Sequence, residues 1–255
     1  MITTMSQAGP FSNRTKWFSD RPQVTDGFKL MRYTQSPCRD QRLGFVRQDF
    51  QTKVVDLTVT PEELKAETSK NTLYKARRAE RDGVTCHFDG DVGRFRAFYN
   101  EIASAQSRTP IAEGLIESAS PACRVVHADL EGEPLVMHSY LVDPEQKRIR
   151  LWHSASRHVM GGDSNARNAI GRANRLLHWE CLLRFRDEGF HHYDFGGYSA
   201  DTSDQKKMAI NRFKDGFGGE LRAESNYVSY PLMTLLYMKN LVNGLRDREA
   251  KATDA

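Results

Sequence analysis

Two short stretches of this chain set a chemically capable side chain against consecutive glycines. Tyr193-Asp194-Phe195-Gly196-Gly197 places a carboxylate just ahead of a Gly-Gly pair, and Phe213-Lys214-Asp215-Gly216-Phe217-Gly218-Gly219 repeats the arrangement with a lysine in place of the acid. Such glycines occur where the backbone must turn sharply or a ligand must come close to it. Asp194 is therefore the first candidate for a functional acid, able to accept a proton or orient a substrate, and Lys214 is a candidate cation. A third stretch, from Ser154 to Arg172, runs from a strand end through Arg157, Gly161 and Gly162 to Ser164, Asn165 and Arg167, where a long helix starts. A helix N-terminus offers free N–H groups and partial positive charge, which suits a phosphate, and Arg157, Arg167 and Arg172 add to it. Of the strand histidines, His138 and His153, the second is the better base if its strand end opens into a cleft. His191-His192 looks like a metal pair, but neighbouring strand residues point to opposite faces and no third ligand follows, so no metal site is expected.

The elements that must hold these residues are legible as patterns. Strand signals cover 28–33 and 43–59, with Lys53 to Val59 β-branched and ended by Pro61. Thr60-Pro61-Glu62-Glu63 reads as a helix start, and the helix is expected to continue to about Asp82. It carries Lys70, Lys75, Arg77, Arg78 and Arg81, either a solvated face or a patch for phosphate. A short strand at 84–88 precedes a helix at 91–105 whose Val92, Phe95, Phe98, Tyr99 and Ile102 form a core stripe. A three-strand meander follows at 124–129, 134–142 and 148–153. The helix from Asn165 to Glu188 buries Ile170, Ala173, Leu176, Leu177, Cys181 and Phe185. Then come a strand at Tyr193–Phe195, a short helix at 206–213, a strand at 221–228 and a terminal helix at 230–246 that is expected to dock through its leucines. Residues 1–13 are expected to be a flexible arm.

Composition narrows the class without choosing a partner. The 255 residues are 27% charged and 39% hydrophobic, as in an ordinary globular protein, and 37 Lys and Arg stand against 33 Asp and Glu. That mild excess does not mark a nucleic-acid binder. Cys38, Cys86, Cys123 and Cys181 are widely spaced and are read as free thiols. No apolar run approaches the roughly 20 residues of a membrane span, and the N-terminus does not read as a secretory signal, so a cytoplasmic protein is expected.

Taken in order, the helix-ending block His178 to Gly189, Tyr193-Asp194-Phe195-Gly196-Gly197 and Phe213-Lys214-Asp215-Gly216-Phe217-Gly218-Gly219-Glu220 resemble the closing half of FemABX-type acyltransferases, a branch of the GNAT superfamily. Lys75 to Val84 resembles the basic helix and Gly-Val that open the same domain. The resemblance implies an α+β GNAT fold, a central mixed twisted sheet with helices on both faces. It implies a partial sheet over 14–69, the acyltransferase core over 70–228 and a terminal helix and tail over 229–255. It also implies transfer of an acyl group from acyl-CoA or an acyl carrier protein to the amine of a small molecule or cell-envelope precursor. Asp194 or His153 would then be the base, Tyr198 or Tyr193 would protonate the leaving group, and Lys214 would contact the donor. The loop Arg157-x-x-x-Gly161-Gly162 with Ser164, Asn165 and Arg167 would cradle a pyrophosphate, although it only approximates the GNAT motif. Nucleic acid would be a partner only if the donor were an aminoacyl-tRNA. A homodimer is left open, as is a non-catalytic module using the basic helix for an acidic partner.

Overall fold

The computed structural model describes residues 1–8, 10–88, 90–159 and 163–253. The chain divides into two compact units, one built from Met1–Phe50 together with the chain from Ala223 onward, the other from Gln51–Arg222.

In the first unit, β1 (Ile2–Ala8) and β2 (Phe11–Trp17) form an antiparallel hairpin, β2 runs parallel to β3 (Met31–Ser36), and β3 pairs antiparallel with the end of β10 (Glu220–Ser229). The expected loose arm is thus an ordered strand pair. Its inward positions alternate, with Ile2, Thr4, Thr15 and Trp17 buried and the Trp17 Nε1–H donating to Thr4 Oγ1 at 3.0 Å. Buried threonines made this period-two pattern look polar in the sequence. The terminal helix α6 (Tyr230–Thr253) buries Leu232 against Val228, as expected of a docked helix, yet Tyr237, Met238, Leu241 and Val242 further along are exposed. Among the described residues no helix is long and apolar enough to cross a membrane.

The second unit carries the candidate site. Its sheet has the order β4-β9-β8-β7-β6-β5, formed by the second half of β4 (Phe45–Asp56) with β9 (His192–Gly197), β8 (Arg148–Ser156), β7 (Glu133–Asp143), β6 (Cys123–Leu130) and β5 (Thr85–His87). All neighbours are antiparallel except β8 and β9, which makes the sheet mixed. On one face, α2 (Lys70–Arg81) and the 24-residue α4 (Ser164–Asp187) pack over Val126, Ala128, Val136 and Tyr140. On the other, α3 (Val92–Ala105) lays Phe95, Phe98 and Ile102 on Val125, Met137 and Ala155. Strand alternation produces this division: residues 125 and 126 point opposite ways.

The helix expected from Pro61 to Asp82 is broken. Its start is right, since Thr60 and Glu63 make a reciprocal capping box at the head of α1 (Pro61–Glu67). Ser69 then begins a second helix, accepting from Thr72 N–H while its own N–H donates to Gly216 O at 2.9 Å. A competing cap and a tertiary partner for the freed backbone outweigh continuation. The basic face of α2 is partly neutralised, for Arg78 and Arg172 both pair with Asp82. The glycines after Lys214 are needed: Gly219 sits at φ +77°, and a Cβ there would meet Val54 O at 2.3 Å.

Candidate active site

Parallel pairing of β8 and β9 runs from Arg148 opposite His192 to Arg150 opposite Asp194, whereas β8 continues to Ser156 and β9 to Gly197. A cleft of about 610 Å³ opens there, walled by Leu151, Trp152 and Ser154 of β8, Phe195 to Gly197 of β9, Asn174, Arg175 and His178 of α4, and Phe213 and Lys214 of α5 (Gln205–Asp215). Gly196 and Gly197 of the first turn and Lys214, which leads into the second, therefore border one cleft, whereas Gly216, Gly218 and Gly219 do not line it. Its walls mix apolar side chains with a few cations, the α4 polar groups and the hydroxyls of Ser154 and Ser156, the usual make-up of a small-molecule site.

Lys214 lines the cleft. Its side chain is buried, and its ammonium donates to Gly196 O at 3.2 Å and Gly197 O at 2.5 Å, so the carbonyls of one turn hold the cation of the other. Burial pushes its pKa down to about 8, with the Asp194 charge opposing the fall.

Asp194 does not reach the cleft. It is fully buried, with Oδ1 accepting from the Thr52 hydroxyl and from Gly196 N–H at 2.7 Å, and Oδ2 accepting from Arg148 Nε at 3.2 Å and Nη2 at 2.5 Å. Burial raises the carboxyl pKa, but Arg148 and Arg150 more than reverse this and hold it below the ordinary range. A carboxylate with its acceptor positions filled in this way positions the turn and has no room for a substrate proton. His153 faces away, bonded through Nδ1 to Ser139 Oγ at 3.0 Å and packed on Phe95 and Tyr99 of α3; burial pushes it down to about 4. Tyr198 gives its hydroxyl proton to Asp215 at 2.9 Å outside the cleft.

The expected phosphate cradle also departs from its reading. Gly161 and Gly162 lie outside the described residues. Arg157 is held elsewhere, donating to Pro134 O at 3.0 Å and Glu101 Oε1 at 3.4 Å over the Phe98 ring. Ser164, Asn165 and Arg167 open α4 but do not line the cleft, and Asp163 caps that end by accepting from Ala166 N–H at 2.7 Å. A carboxylate at the helix end occupies a donor and opposes an incoming phosphate.

Sequence reasoning missed the groups that converge on the cleft from α4. Asn174 and His178 lie one turn apart, and a buried relay joins them. Asn174 Oδ1 meets His138 Nε2 at 3.0 Å, and His138 Nδ1 meets Tyr140 Oη at 3.1 Å. Tyr140 Oη meets Tyr193 Oη at 2.6 Å, and Tyr193 Oη meets His178 Nδ1 at 2.6 Å. The amide oxygen can only accept, so polarity propagates: His138 donates from Nε2, Tyr140 donates to His138, Tyr193 donates to Tyr140, and His178 donates from Nδ1. His178, which lines the cleft, is left with a bare Nε2 lone pair. Burial, then the nearby charges of His138, Lys214 and Arg175, hold its pKa well below the ordinary value. The sequence signal was a histidine set beside the Leu177 and Cys181 stripe.

Burial also pushes His138 down to about 3. The unfolded chain protonates this ring below about 6.5 and the folded chain does not, so stability falls as pH drops from about 6.5 toward 3. Urea unfolding at pH 7 and pH 5 should show a loss of about 2 kcal/mol from His138 alone. His138→Gln, which cannot take up a proton, should lose correspondingly less between the same two pH values.

No family model matches the chain, and no curated protein does. In fold it is similar to FemX, with a TM-score of 0.61 at 10% identity over 90% of this chain and 83% of that one. It is also similar to a domain described as the C-terminal part of a lysylphosphatidylglycerol synthetase from Agrobacterium fabrum, with a TM-score of 0.54 at 11% identity over 83% and 71%. L-PGS from Bacillus licheniformis gives a TM-score of 0.52 at 13% identity over 86% and 75%. The expected α+β fold, a mixed sheet with helices on both faces, is borne out, and it is like that of FemX.

Proposed function

We propose that the chain is an acyltransferase in which an amine attacks a donor carbonyl held between His178 and Lys214. The observation that carries this reading is the convergence on one cleft of an unprotonated imidazole nitrogen, oriented by a buried relay, and an ammonium fixed by two backbone carbonyls. Acyl transfer needs both: a base for the attacking N–H and a cation for the developing oxyanion. The amine nitrogen bonds to the carbonyl carbon, and His178 Nε2 takes the proton. Lys214 stabilises the oxyanion, and the C–S or C–O bond to the leaving group then breaks, the proton returning from His178 to the departing sulfur or oxygen. Arg150 and Arg175 add positive charge to the cleft walls for an anionic part of either substrate.

The donor is an acyl thioester of coenzyme A or of an acyl carrier protein. A second reading, an aminoacyl-tRNA donor, is favoured by one observation: Asp163 takes the helix end where a coenzyme A pyrophosphate would sit. The fold shared with FemX and with one domain named as part of a lysylphosphatidylglycerol synthetase is compatible with it. Melting curves with acetyl-CoA, longer acyl-CoAs, an acyl carrier protein and aminoacyl-tRNAs separate the readings, because a ligand that binds the folded state raises the melting temperature. A rise with a thioester supports the first reading, and a rise with aminoacyl-tRNA alone supports the second. No rise with any donor, and no transfer on mixing with amines, removes both.

A further inference from the structure

We propose that His87, His127 and Asp129 bind a divalent transition-metal ion of the zinc type on the edge of the second unit's sheet. The three residues are remote in sequence and are brought together by strand pairing. His87 of β5 lies directly opposite His127 of β6, and Asp129, two residues further along β6, lies opposite Thr85. Period-two alternation puts His127 and Asp129 on the same face, and a directly opposed pair has adjacent Cβ atoms.

The two imidazoles are stacked, with centroids 4.9 Å apart and planes at 21°, so their nitrogen-bearing edges run alongside one another. His127 Nε2 is 3.5 Å from Asp129 Oδ2, and one donor atom from each of the three residues falls within 4.8 Å of the others. An ion bound at about 2.0–2.2 Å from nitrogen and oxygen holds tetrahedral ligand atoms roughly 3.3–3.6 Å apart, a separation the His127–Asp129 pair already has at 3.5 Å and His87 must close in to reach. His87 is exposed at the strand edge and can make the adjustment by rotating, giving up its 3.1 Å contact with Thr85 Oγ1.

A second observation points the same way. Asp129 is 6% exposed, yet its Oδ1 is buried with no hydrogen-bond partner. Buried carboxylate oxygens are ordinarily satisfied, and a cation would satisfy this one. The competitor is Arg94, whose guanidinium stands 3.8 Å from Oδ2, but that side chain is about half exposed and can swing into solvent. Two imidazoles and one carboxylate, with positions left for water, suit zinc, iron, nickel or copper rather than magnesium or calcium. The strand order puts β5 three places from β8, so the ion would not act in the cleft. It would instead clip a three-residue edge strand to its neighbour.

The test is titration of the tag-free full chain, stripped with chelator, with Zn²⁺ by calorimetry, and with Co²⁺ followed by its visible absorption. One equivalent is expected, with a zinc-dependent rise in melting temperature. His87→Ala, at an exposed position where the fold should survive, should weaken binding at least tenfold and abolish the rise. Asp129→Asn should also weaken it, whereas His191→Ala should leave it unchanged. Failure to bind one equivalent at micromolar zinc, or binding unchanged in His87→Ala, overturns the proposal.

Discussion

Asp194→Asn should lower folding stability by about 3–5 kcal/mol, the usual consequence of removing one partner from a buried ion pair. The substitution keeps the shape of the side chain. It removes the charge facing Arg148, a guanidinium itself only 6% exposed. Asn at this site must also turn an NH2 toward either Arg148 or the Thr52 and Gly196 donors, so at least one hydrogen bond becomes a donor–donor conflict. Denaturant unfolding gives the loss directly. Adding Arg148→Met should recover part of it, because the orphaned cation goes too, and the double-mutant cycle reports the coupling. Near-wild-type stability with a hundredfold loss of transfer would instead make Asp194 a catalytic acid or base and sink the positioning assignment.

That correction shows where reading the chain as a string stops. The turn after β9 was visible because glycines at positive φ leave a compositional trace, and Gly196 at +74° and Gly219 at +77° are two of them. Lys214 was visible for the same reason. Helix starts at Thr60 and Asp91 and the core stripe of α3 were visible because capping and burial act over a few residues. What sits across from Asp194 was not, since Arg148 and Thr52 reach it from other strands. A carboxylate before Gly-Gly reads identically whether it faces a substrate or a guanidinium. His153 failed similarly: its neighbours face α3, and only the sheet's placement decides which side of β8 becomes a cleft wall. His178 was hidden by its own burial, because a histidine beside an apolar helix stripe is ordinarily a satisfied core residue. The role proposed for it rests on the relay that ends on Asn174 one turn earlier.

The relay makes the second large effect predictable. His178→Gln should reduce kcat for acyl transfer by about 10²–10⁴-fold, the range for loss of a positioned general base. KM should change little, because the ring's proton-accepting role is exercised only as the nucleophile loses its proton. A merely structural histidine would behave differently, with stability falling and the residual rate keeping its pH dependence. Three further readouts separate the cases. The wild-type rate should decline above about pH 8, where Lys214 gives up the proton that makes it a cation, and His178→Gln should keep that limb while losing the acidic one. The cleft of about 610 Å³ has room for free imidazole once the side chain is gone, so His178→Gly should regain rate on adding imidazole. Asn174→Leu removes the acceptor that fixes the relay's direction and lets His178 carry its proton on Nε2, so its rate should fall, while Asn174→Asp, still an acceptor, should retain more of it. A His178→Gln enzyme within twofold of wild type would leave the cleft without its base and return that role to the amine's own equilibrium with solvent.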